Sequence, residues 1–117
     1  MEITVHTRHL DIPAGLREAA VEKGQHLERF LEGTQWVEIV FSQDHAARDN
    51  GHVTCEISVV ARGRVVRVRA SGHLANSALE AAIAKEAQRL SRMQDRLVQR
   101  SRPRHGAVGQ RSKELAD

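Results

Sequence analysis

The sequence predicts an α+β sandwich in which two helices cover one face of a four-stranded sheet, in the order β-α-β-β-β-α. Three observations predict it. Residues 36–43, 53–61 and 64–70 alternate apolar and polar side chains with a period of two, as strands with one covered face do. Residues 16–31 and 79–97 instead repeat their apolar positions at a helical period. Gly33, Gly51 and Gly63 and the polar clusters fall between these segments.

The first strand is "EITVHT", with Ile3 and Val5 on one side. Asp11 then offers a helix cap, with Pro13 tolerated in the first turn. Leu16, Ala20, Gly24, Leu27 and Leu31 recur at helical spacing up to a stop at Gly33. Gly24 weakens this helix, and its place there is explained if the backbone lies close to the sheet. In "WVEIVFSQ", Val37, Ile39 and Phe41 share a face. After the polar loop "DHAARDNG", Val53, Cys55, Ile57, Val59 and Ala61 point inward, with Thr54, Glu56 and Ser58 outward. A tight turn at Arg62-Gly63 leads to a strand with Val66, Val68 and Ala70 inside and Arg67 and Arg69 outside. "SALE" is a candidate capping box for the second helix, with Asn76 as an alternative cap. Its apolar stripe is Leu79, Ile83, Ala87, Leu90 and Leu97. Residues 1–100 thus form one domain, and residues 101–117, with Pro103 and no hydrophobic period, read as a flexible basic tail.

The chain has 117 residues, 40% of them hydrophobic, but only one Trp, two Phe and no Tyr, so aliphatic side chains fill the core. One cysteine excludes an internal disulfide framework. No signal segment and no apolar run of membrane-spanning length is apparent, so a cytoplasmic protein is expected. The formal charge of +3 hides a strong asymmetry. Residues 1–61 carry five Lys/Arg against ten Asp/Glu, whereas residues 62–117 carry thirteen against five. Such asymmetry points to a polyanionic partner, nucleic acid first and an acidic membrane or an acidic protein after it.

The excess is organised. Lys85, Arg89, Arg92, Arg96 and Arg100 recur at steps of four, three, four and four. At 100° per residue they share a strip roughly 80° wide, centred roughly 120° from the apolar stripe. Like charges so placed repel, and the nearby acids Glu86 and Asp95 lack a basic residue four positions C-terminal. Arg102 and Arg104 continue the charge. The strip suits the phosphate surface of structured RNA or DNA better than a solvated helix face. Arg67 and Arg69 fit phosphate contact or pairing with Glu38 or Glu56 equally well.

Other chemistry is poorly supported. Seven histidines are scattered, and His6 and His9 have no cysteine or carboxylate cluster beside them, so no metal is expected. Cys55 reads as a small core residue. There is no phosphate-cradling glycine loop, Ser/His/Asp set or pair of carboxylates in an apolar run, so neither an enzyme nor a cofactor is expected. The scarcity of rings disfavours base stacking on aromatic platforms.

Two stretches, "ITVHTRHLDIPAGLREAAVEKGQHLERFL" and "ASGHLANSALEAAIAKEAQRLSRMQDRL", resemble the first strand and helix and the second helix of the ribosome hibernation-promoting factors, or ribosome-associated inhibitors. Residues 16–18, Lys23, Leu27, Glu28, Ile83, Lys85, Leu90, Arg92, Asp95 and Arg96 match in place. The resemblance covers about residues 3–100 and implies a fold similar to a double-stranded RNA-binding domain. It also implies a non-enzymatic partner of the small ribosomal subunit, seated in the mRNA/tRNA channel near the decoding centre and inhibiting translation in idle ribosomes. Stress and stationary phase are where such factors act.

Carried over by position, Lys23 on the first helix and Lys85, Arg89, Arg92 and Arg96 on the second face ribosomal RNA. His26 stands where lysine is frequent, which weakens a contact there or makes it pH-sensitive. Arg67, Arg69 and Arg100 complete the expected RNA-binding set. Leu74-Ala75-Asn76 and Gln94 depart from the family pattern. Long members dimerise through a C-terminal domain that this sequence does not include, so the chain is a short form or the ribosome-binding part of a long one. A general double-stranded RNA-binding module, acting as chaperone or regulator, is the alternative.

Overall fold

A computed structural model of the chain describes residues 1–43 and 52–101. In chain order they form strand β1 (Glu2–Arg8), helix α1 (Ala14–His26) with a 3-10 turn after it (Leu27–Phe30), strands β2 (Thr34–Gln43), β3 (Val53–Ala61) and β4 (Arg64–Gly72), and helix α2 (Ala75–Ser101). This is the predicted order. The predicted loop at 44–51 and all of the predicted tail 101–117 except Ser101, which ends α2, lie outside the described residues.

The sheet runs β1-β2-β3-β4 and is mixed. β2, β3 and β4 are antiparallel neighbours, while β1 pairs parallel with β2, Val5 beside Ile39. Parallel pairing needs a crossover, and α1 supplies it. The hairpin between β3 and β4 turns on Arg62 (φ 53°) and Gly63 (φ 76°), both left-handed. A two-residue turn of this kind matches the twist of the flanking strands.

The period-two reading sets the core. Val37, Ile39, Phe41, Cys55, Ile57 and Val59 are completely buried beneath the helices. Gly24 on α1 sits directly over them. A Cβ there would lie 3.3 Å from Cδ1 of Ile39 and 3.5 Å from Cγ2 of Ile3, so the glycine permits the close helix-to-sheet approach anticipated from the sequence.

Three local expectations are corrected. Pro13, not Asp11, is the N-cap of α1, and its carbonyl accepts from the N–H groups of Leu16 and Arg17 at 3.0 and 3.1 Å. Proline disfavours helical backbone in the residue before it, so the helix cannot begin near Asp11. The helical spacing that ran on to Leu31 is split, because the last turn tightens to 3-10 geometry after His26 while Leu27 and Leu31 stay buried. α2 starts at Ala75, two residues before the candidate box. Ser77 occupies its third position, and its hydroxyl accepts from Leu74 N–H at 3.3 Å and donates to the Leu74 carbonyl at 3.0 Å. Half of a capping box is thus formed, without Glu80.

The largest departure is the rotation of α2. Ala78, Leu79, Ala82, Glu86 and Leu90 are its buried side chains, whereas Ile83, Ala87 and Leu97 are only partly covered. On a helical wheel this face is turned by roughly 60° from the predicted stripe, toward the basic strip. Ala78 and Ala82 are small enough to let that side of the helix settle on the sheet. Glu86 is carried into the core as a result.

Candidate nucleic-acid interface

The rotation brings the basic strip of α2 against β4, the edge strand of the sheet. Lys85 Nζ donates to the main-chain carbonyl of Arg69 at 2.8 Å, and Arg89 Nη1 donates to that of Arg67 at 2.9 Å. The spacing is a near match. Four residues of helix rise about 6.0 Å and two residues of strand about 6.8 Å, so i, i+4 side chains meet alternate carbonyls of an adjacent strand.

Arg92 and Arg96 continue the strip beyond these two anchors. Arg96 Nε makes a long contact of 3.5 Å with the carbonyl of Arg92, and the Arg92 side chain has no polar partner among the described residues. Between α2 and β4 runs a groove of two adjoining hollows, about 480 and 440 Å³. Arg67, Arg89 and Arg92 line both hollows, with Arg96 at one end and Arg69 and Lys85 at the other. Val65, Val66, Val68 and Met93 also line it.

The alternatives for Arg67 and Arg69 can be compared directly. Arg67 Nε donates to the hydroxyl of Ser58 at 2.8 Å, its neighbour across the β3–β4 pair, and shields that residue. Neither arginine reaches Glu38 or Glu56. Glu38 instead lies 3.8 Å from His6, and a second exposed pair joins Arg62 to Glu32 at 3.7 Å. Among the described residues, no carboxylate neutralises the cations of the groove through an ion pair.

Of the predicted site residues, the structure therefore gathers Arg67, Arg69, Lys85, Arg89, Arg92 and Arg96. Lys23, half-buried, and His26, exposed, stand on α1 outside the groove. Arg100 belongs to the last turn of α2, and its side chain lies outside the described residues. Gln94, a departure from the family pattern, has a structural role. Its amide oxygen accepts from the N–H of Glu32 at 2.9 Å, tying α2 to the chain that enters β2, and a lysine could not accept that bond.

Glu86 is the residue the sequence reading missed. It is fully buried, and both carboxylate oxygens lack a hydrogen-bond partner. Burial pushes its carboxyl up to about 8, against the opposing pull of the Arg89 charge, so it is mainly a neutral acid at pH 7. Ala78 and Ala82, at i−8 and i−4, were the available signal. Elsewhere the rings of His52 and His73 stack at 5.1 Å, and no three His, Cys, Asp or Glu side chains gather to hold a metal among the described residues.

Fold and site define a class: small α+β modules whose C-terminal helix and edge strand hold a cationic groove between them. The particular lineage follows from comparison. The chain belongs to the sigma 54 modulation protein / S30EA ribosomal protein family, whose model matches residues 3–98. This is the family of the hibernation factors that the two sequence stretches resembled, and its members are ribosome-associated and non-enzymatic. The fold is similar to that of the N-terminal domain of protein Y from Thermus thermophilus, with a TM-score of 0.67 and 24% identity over 80% of this chain and 99% of that one. It is also similar to a ribosomal subunit interface protein from Coxiella burnetii, with a TM-score of 0.66 and 19% identity over 80% and 97% of the two chains. A search of curated proteins gave no match. No helix among the described residues is long and apolar enough to cross a membrane.

Proposed function

We propose that this ribosome-associated chain binds ribosomal RNA of the small subunit through the α2–β4 groove, in the mRNA/tRNA channel near the decoding centre, and so inhibits translation in idle cytoplasmic ribosomes. The observation that carries the reading is the convergence of Arg67, Arg92 and Arg96 on one groove with no acidic neighbour paired to them among the described residues. Cations held in a row and left unneutralised replace the counterions of a phosphate backbone. With five or so phosphates neutralised, a fourfold rise in salt weakens binding by roughly a hundredfold or more.

Lys23 and His26 on α1 add a second, separate contact in this reading. Sedimentation of the chain with isolated small subunits, across a salt series, tests the proposal. Salt-sensitive co-sedimentation that free duplex RNA does not compete away supports it. Equal binding to free duplex would instead favour a general double-stranded RNA-binding module.

A further inference from the structure

We infer that the α2–β4 groove takes a single, unpaired RNA strand, not the outer surface of a duplex. The inference rests on the ribosomal RNA reading and narrows its ligand. A duplex is met by cations that stand out from a convex face and reach across successive minor grooves. Here the strip does not stand out. Lys85 and Arg89 are drawn down onto the carbonyls of Arg69 and Arg67, and the remaining guanidinium groups face a slot from two walls, Arg67 on the strand side and Arg92 and Arg96 on the helix side. Such walls neutralise one backbone from both sides.

The slot is not lined by cations alone. Val65 is 56% exposed at the mouth of the slot, and Met93 lines it from the helix. These two side chains offer apolar contact to a ribose beside the cations. With no aromatic ring among the groove's lining residues, contact is to the backbone and the strand is held without regard to its sequence.

The test is the fluorescence anisotropy of labelled oligouridine and of a blunt RNA duplex of equal length, each titrated with the full chain, beside sedimentation with small subunits. Oligouridine should bind more tightly than the duplex. With four phosphates neutralised at the single-strand slope, a fourfold rise in salt should weaken it about 50-fold. Val65→Glu places a carboxylate at the mouth of the slot on an exposed position and should cost about tenfold or more in oligouridine affinity. Val65→Thr should leave affinity near the parent value, with both variants melting as the parent does. Duplex binding as tight as oligouridine binding overturns the inference, as does Val65→Glu with unchanged affinity. If small subunits are still bound in either case, the ribosomal reading stands while the slot reading falls; if no RNA and no subunit is bound, both fall.

Discussion

Arg89 donates to the main-chain carbonyl of Arg67 at 2.9 Å, so one residue of the cationic strip is also part of the frame of the sheet. Lys85 repeats the arrangement on Arg69. The strip is therefore two pairs with different duties, anchors at 85 and 89 and open cations at 92 and 96.

That division separates two kinds of variant. Arg92→Glu with Arg96→Glu should abolish co-sedimentation with small subunits and leave the melting temperature within a degree or two of the parent. Arg89→Ala should weaken binding less, yet cost about 1 kcal/mol of stability, or roughly 4–8 °C in melting temperature. Thermal melts beside sedimentation assays check both. Retained binding in the charge-reversed double variant would reject the groove as the contact surface.

Glu86 makes stability depend on pH. Its folded-state carboxyl is raised from an ordinary 4.5 to about 8, so between those values the folded chain holds a proton that the unfolded chain has released. This contribution is fully present below about 4.5, is lost as pH rises toward 8, and changes little beyond. Glu86→Gln should flatten that slope and be more stable than the parent at pH 9, by a gain on the order of 3–5 kcal/mol. Urea midpoints at pH 5 and pH 9 measure it. Equal slopes for the two proteins would show that Glu86 is not the buried acid.

Cys55 should be inert while the chain is folded. Burial, helped by the Glu56 charge, pushes its thiol from 9.0 up to about 12. The thiolate fraction at pH 8 falls by about a thousandfold, and the side chain is fully enclosed besides. Alkylation should therefore proceed in denaturant and be suppressed by at least that factor in buffer. Rapid labelling of the native chain would contradict the placement of β3.

Gly24 sets the distance between α1 and the sheet. Alanine there gains helix propensity of about 1 kcal/mol but meets Ile39 at 3.3 Å, so the two effects should nearly cancel. Gly24→Leu forces the helix away from Ile3 and Ile39 and should cost about 1–3 kcal/mol or more. Denaturant titration of the pair distinguishes tight packing from an idle glycine.

The strands were legible because alternation is a local signal. Val37, Ile39 and Phe41 had to share a face whatever lay above them. The setting of α2 was not local. Hydrophobicity placed Ile83, Ala87 and Leu97 at the centre of the buried face, but Ala78 and Ala82 let the helix lie closer on its other side. Leucines marked the stripe, and alanines decided the rotation. The strip itself was visible in the spacing of Lys85, Arg89, Arg92 and Arg96, whereas the bonding of the first two to β4 depended on that rotation. The start of α1 was misplaced because Pro13 acts on Ile12 as well as on itself.

The opposite border of the sheet is treated like β4. Arg17 on α1 donates to the main-chain carbonyl of Val5 on β1 at 3.0 Å, as Lys85 and Arg89 do on the far side. Each outermost strand therefore has carbonyls occupied by a cation from the helix above it. Such a strand is a poor template for a neighbouring molecule, because an incoming chain must first displace a charged donor and then approach a positive border. Both borders of the sheet are thereby guarded against edge-to-edge joining with another copy.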